Sequence, residues 1–209
     1  MQFDSDLAAI RFGCGLSPRV AAAGSVAEML TRLQGPDEMA ARFPISGLQE
    51  AAASVPEYRR LNRQRRRVED KAAQAQAEQA FKALRRQNAQ DRLHWHGQRL
   101  LRQVHTRDGL RERLALFWAD HFTAQGKSPA TRMLAAPYAE SVIRPHLAGR
   151  FEDMLIAAVT SPLMLQYLDQ NRSTGPGSPA AQKRNHLDVK RLNLAREVLE
   201  LHTLGVDGP

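Results

Sequence analysis

Near the carboxyl end, the run Leu192-Asn193-Leu194-Ala195-Arg196-Glu197-Val198-Leu199-Glu200-Leu201-His202-Thr203-Leu204-Gly205 repeats polar side chains at helical spacing. At about 100 degrees per residue, with Asn193 at zero, Arg196, Glu197, Glu200 and Thr203 fall within about 80 degrees of it and share one stripe. His202 falls at about 180 degrees, on the face of Leu192, Leu194, Ala195, Val198, Leu199 and Leu201. The string Glu-x-x-Glu-x-His therefore offers no three-ligand metal set from one intact helix. Glu197 and Glu200 are three apart and adjacent on the surface, so they could jointly hold a divalent cation or move a proton. They serve equally well as ion-pair partners, and Arg196 stands four residues before Glu200.

Asp169, Asn171 and the loop from Ser173 to Pro179 precede this helix, and loops beside rigid elements commonly carry function. Were His121 to meet Asp169, Glu197 or Glu200 in space, the four would make a metal or acid/base constellation. Asn193 and Arg196, on the same polar stripe, complete the catalytic candidates. A satisfied core histidine is the plainer reading of His121. His94 and His96 flank Trp95, but residues two apart on a helix point about 200 degrees from one another, so they cannot chelate one ion. Cys14 is the sole cysteine, which excludes an intramolecular disulfide, and nothing beside it in sequence marks a thiolate-stabilising site.

The elements that must position these residues are helices. Ser17 and Pro18 predict a helix through about Leu33, closed by Gly35 and Pro36. A short helix is expected from Leu48 to Ser54. A long Ala/Gln/Glu/Lys/Arg/Leu-rich segment then runs over 57–105, with Gly97 its only breaker. Large apolar residues are sparse before Ala80 and denser after it, so the first half is expected as a solvated, weakly packed arm or hairpin and the second as a docked helix. From Leu110 to Phe122, Leu114, Phe117, Trp118 and His121 recur at i, i+3, i+4 and i+7 as a core-facing stripe. Further helices are expected at Ala130 to Val142, Phe151 to Thr160 and Pro162 to Leu168. No run of alternating β-branched residues occurs, and the fold class is all-α: a single multi-helix domain over 1–209 with the charged arm inside it.

The chain has 209 residues, 43% of them hydrophobic, and a formal net charge of +8; its pI is about 10.3. A length of this order supports a sizeable core. No apolar run approaches a membrane span and no basic-then-apolar leader opens the chain, so a cytoplasmic protein is expected. Much of the positive excess lies on the arm, in Arg59, Arg60, Arg63, Arg65, Arg66 and Arg67. These are candidates for nucleic-acid contact. A solvated helical face is favoured over that contact, because no phosphate loop, zinc pattern or RNA-binding motif accompanies them.

Arg11-Phe12-Gly13, Arg111-Glu112-Arg113-Leu114, Phe117-Trp118-Ala119-Asp120-His121-Phe122-Thr123, Tyr167-Leu168-Asp169 and the C-terminal run together resemble the bacterial family catalogued as domain of unknown function 1800. The resemblance is densest from Leu110 to Gly208. It implies that the chain matches the N-terminal half of a longer helical domain, since the family continues past the Leu-Gly-Val-Asp-Gly segment. The family tends to carry Asn-Glu where Arg191 and Leu192 stand here, and Asn where Gln170 and Gly177 stand, so some polar groups of the pattern are absent. The resemblance also implies a partner from a sulfatase-like group, domain of unknown function 1501, whose members are often encoded beside it.

Three functions are therefore in view. The first is a scaffold or protein-interaction module. The second is a metal-dependent or acid/base enzyme using His121, Asp169, Glu197 and Glu200, with a divalent metal as its possible cofactor. The third is nucleic-acid binding through the arginine-rich arm.

Overall fold

The computed structural model of the chain describes residues 2–170, 193–203 and 205. Among these residues there is no strand, and the all-α class holds. The loop from Ser173 to Pro179 lies outside them, as do Asn171, Arg191 and Leu192.

α1 (Ser5–Phe12) starts where Asp4 accepts the Leu7 amide, and it ends at Gly13. α2 spans only Val26–Gln34, not the stretch from Ser17. The Ser17 hydroxyl accepts from the amides of Arg19 and Val20 and closes a local turn instead. The stronger signal was Ser25-x-x-Glu28: Ser25 accepts the Glu28 amide at 3.1 Å while Glu28 accepts the Gly24 amide at 2.7 Å, a reciprocal capping arrangement. α3 (Glu38–Arg42) and α4 (Leu48–Ala52) are single turns that lead to the long segment.

That segment is two helices, α5 (Ser54–Arg67) and α6 (Lys71–His105), the second being about 50 Å long. Val68 is extended, and Asp70 caps α6 by accepting the amides of Ala72 and Ala73. Contacts from Arg65 to Gln74 and Glu78, and from Tyr58 to Phe81, run in antiparallel order, so the pair is a hairpin. It is less solvated than its composition suggests. Tyr58, Leu61, Ala77 and Phe81 are buried: the Tyr58 and Phe81 rings meet at 4.9 Å, and the Arg65 guanidinium lies 4.3 Å over Phe81. Gly97 does not interrupt α6.

The rest of the body wraps the C-terminal half of α6. α7 (Gly109–His121) follows the Asp108 cap. The stretch expected as one helix from Ala130 is a succession of tight and wide turns: a 3-10 turn at Arg132–Leu134, α8 (Ala135–Tyr138), a π turn at Ala139–Ile143 and a second 3-10 turn at Arg144–His146. The π turn displaces successive side chains, sending Glu140 to Arg102 while the Ser141 hydroxyl accepts the Leu48 amide. Gly126 sits so tightly under this stretch that a Cβ there would lie 2.2 Å from the Thr131 carbonyl carbon. α9 (Phe151–Thr160), α10 (Pro162–Tyr167) and α11 (Asn193–His202) complete the described elements. The core joins Trp95, Phe122, Met133, Tyr138, Ile143, Met154, Leu163 and Met164 to the base of the hairpin.

Candidate functional site

Both faces of α7 matter, and they differ from expectation. Its buried residues are Arg111 and Glu112. Asp108 holds the Arg111 guanidinium at 2.8 Å, and the same guanidinium donates to the carbonyls of Arg32, Leu33 and Gly35 around the end of α2. Glu112 is 2% exposed and takes two hydrogen bonds from Arg144, at 2.6 and 3.1 Å. Arg144 also donates to both oxygens of Asp37, at 2.6 and 2.9 Å. Burial works against the charged guanidinium of Arg144, but its bonds to Glu112 and Asp37 outweigh that and raise its pKa. Burial likewise opposes the charge on Asp37, and Arg144 together with the Ala40 amide still brings its carboxyl below the usual value. A similar device ties α6 to the π turn: Arg102, 1% exposed, donates to Glu140 at 2.7 and 3.0 Å and to the Phe43 carbonyl at 2.8 Å.

The stripe expected to face the core does so in part: Leu114 and Trp118 pack against it, while Phe117 and His121 are exposed along a seam with α9 and α11. Phe117 is 56% exposed and Phe151 43% exposed. Phe117 meets Trp118 edge-on and stacks over His121, while Trp118 reaches both Phe122 and Phe151. Phe122 is wholly buried beneath them. His202 enters from α11, its ring centroid 5.8 Å from His121 and 5.1 Å from Phe122. The result is a continuous aromatic and imidazole surface over the buried Phe122 and His202.

His202 is buried, as its place on the helical wheel requires, yet among the described residues neither ring nitrogen has a hydrogen-bond partner. The contact between the two histidines runs through the backbone, His121 Nε2 lying 3.2 Å from the His202 carbonyl. Desolvation, followed by the nearness of His121, lowers the His202 pKa below its usual 6.5. The imidazole is therefore neutral at pH 7.

The other sequence candidates lie apart from this pair in what they touch. Arg196 and Glu200 form the expected pair along α11. Asp169 adopts a left-handed conformation, φ 59, and binds Lys127 at 2.6 Å. Asn193 begins α11, and Glu197 is half-buried. Among the described residues no three or more His, Cys, Asp or Glu side chains gather as a metal ion requires, so His121, Asp169, Glu197 and Glu200 do not converge on one cation. Of the arm arginines, Arg60 grips Glu57 and Arg65 binds Glu78, while Arg59, Arg63, Arg66 and Arg67 are exposed. The Cys14 sulfur rests against the Gly109 carbonyl, and desolvation there, reinforced by Glu112, pushes the thiol up to about 11. It is protonated at neutral pH and unsuited to nucleophilic work.

Phe151 and the Arg102–Glu140 and Arg144–Asp37 partnerships escaped sequence reasoning because their signals are purely spatial. Their members are 38 and 107 residues apart.

Together these features define an all-α protein with an ion-paired interior and an exposed aromatic seam. The chain belongs to the family described as protein of unknown function (DUF1800), whose model matches residues 8–209. No curated protein and no solved structure matches it. Among the described residues no helix is long and apolar enough to cross a membrane.

Proposed function

We propose that this chain is a protein-interaction module that docks a partner on the seam formed by Phe117, Trp118, His121 and Phe151. One observation carries the reading: these rings are contiguous, and Phe117 and Phe151 among them are open to solvent. On α11, Leu199 and Leu201 are each 49% exposed. Interfaces draw their energy from such aromatic anchors set above a desolvated floor. The partner is a member of the sulfatase-like group, domain of unknown function 1501, that the family resemblance implies.

Co-expression of the chain with that protein tests the reading. A complex seen by size-exclusion chromatography with light scattering is expected. It should be lost in the double variant Phe117→Ser, Phe151→Ser while the melting temperature of the free chain changes little. No complex, or a complex indifferent to both substitutions, would overturn it.

A further inference from the structure

A second feature lies on the other side of α7, away from the aromatic seam. Between the C-terminal half of α6, α7 and the turns from Arg132 to Arg144 is a cavity of about 300 Å³, a volume at the lower end of small-molecule sites. Arg92, His96 and Arg99 stand at i, i+4 and i+7 on α6, so one helical face delivers them all to its lining, and Arg132 joins them from the 3-10 turn. The inner wall is apolar, with Trp95, Ala119, Met133 and Ala136.

The charges around this cavity do not balance. Among the described residues Glu112 and Glu140 are its only carboxylates, and both are already held by Arg144 and Arg102. Among the described residues no carboxylate pairs with Arg92, Arg99 or Arg132. Arg99 makes only a contact with the ring of His96, at 3.2 Å. Three exposed arginines thus line one opening with no counter-charge of their own among the described residues, beside low-dielectric walls that strengthen their field. The wall also contains Tyr138, 2% exposed, whose hydroxyl has no hydrogen-bond partner. Buried hydroxyls are nearly always satisfied, and among the described residues this one, itself closed to solvent, has no acceptor. The π turn Ala139–Ile143 shapes the same wall, and such turns recur at functional sites.

We infer that this cavity binds a small anion of mixed character, an oxyanion head on a compact apolar body, with Arg92, Arg99 and Arg132 receiving the head and Trp95, Met133 and the alanines the body. A carboxylate and a phosphate monoester share this chemistry, and guanidinium groups suit both. The site is separate from the docking seam, and its occupancy does not depend on a partner.

Isothermal titration calorimetry of the full chain at low salt is the test, with 4-nitrophenyl phosphate, 4-nitrobenzoate and neutral 4-nitrobenzyl alcohol as probes. At least one anion should bind at one site per chain while the alcohol binds at least about tenfold more weakly, since the loss of one or two charge-assisted hydrogen bonds is of that size. The stronger anion tells which head the site prefers. The double variant Arg99→Gln, Arg132→Gln removes two exposed side chains and should weaken binding at least about tenfold. Ala119→Met keeps every charge but fills the cavity, and should also abolish binding. A control that removes the same charge from the arm, Arg59→Gln with Arg63→Gln, should leave affinity unchanged. Absence of binding by both anions, equal binding of the alcohol, or equal weakening by the arm control would each overturn the inference.

Discussion

The two faces of α7 invert the usual relation between polarity and burial. Arg111 and Glu112 lie inside, whereas Phe117 and His121, roughly one and a half and two and a half turns further on, look outward. The difference is one of partners. Each inward charge is matched atom by atom, Glu112 by Arg144 and Arg111 by Asp108 and three backbone carbonyls, so the interior tolerates it. The rings have apolar neighbours on one side only. A helix is thus sorted by what its neighbours can satisfy, and hydropathy predicts its inward face only when the charges on it have no fixed counterparts.

This comparison can be broken most directly at its charged side. Replacing Arg144 with Met leaves Glu112 and Asp37 buried without their cation, and a loss of about 3 to 5 kcal/mol is expected. Phe117→Ser on the outward face should cost less than about 1 kcal/mol. Urea unfolding of the two variants measures both. Equal losses would mean that the rings, and not the ion network, hold α7 in place.

Much of this fold was legible in the sequence. The helical class, the boundaries of α9 and α10, the burial of His202 and the Arg196–Glu200 pair all follow from 3.6-residue periodicity and capping residues, which act locally. The failures are of a different kind. The outward turn of Phe117 was illegible because periodicity finds a stripe but cannot tell which of two neighbours it meets. The packing of Tyr58 and Phe81 was masked by the arginines around them, since a long cationic stem reads as solvated in composition while covering apolar surface in space. α2 starts at Val26 and not at Ser17 because Ser25 and Glu28 make two reciprocal hydrogen bonds at its first turn, a pattern that the reading from Ser17 and Pro18 did not take in. For the candidate site, sequence drew attention to His121 and to α11, but the contact between His121 and His202 joins residues 81 apart and no spacing rule reaches it.

A smaller effect concerns the ring side of α7 and its pH dependence. His202 has its pKa lowered by desolvation and then by His121, so the unfolded chain binds a proton at this position more readily than the folded one. Its contribution is therefore fully present above the unfolded value of 6.5 and is lost as pH falls through the lower folded value. The melting temperature should decline as pH drops below 6.5, more steeply than in His202→Gln, which has no titrating ring. Parallel profiles for the two proteins would show that the imidazole is not desolvated and that the floor of the seam is wet.

The smallest expected effect sets the baseline against which both faces are judged. Gly97 lies within α6, where a Cβ would meet nothing within 4 Å, and its backbone is helical. Glycine carries no side chain to pack there and has the largest backbone entropy to lose on folding, so Gly97→Ala should stabilise the chain by about 0.5 to 1 kcal/mol. The gain involves neither a buried charge nor a ring, and it measures what helix propensity alone contributes to a long element of this protein. If thermal unfolding shows the full gain, the hairpin and the α7 faces unfold together and the losses at Arg144 and Phe117 are directly comparable. A gain near zero would instead mean that α6 opens separately around residue 97. The contrast between the charged and aromatic faces would then have to be measured by hydrogen exchange on α7 itself, helix by helix.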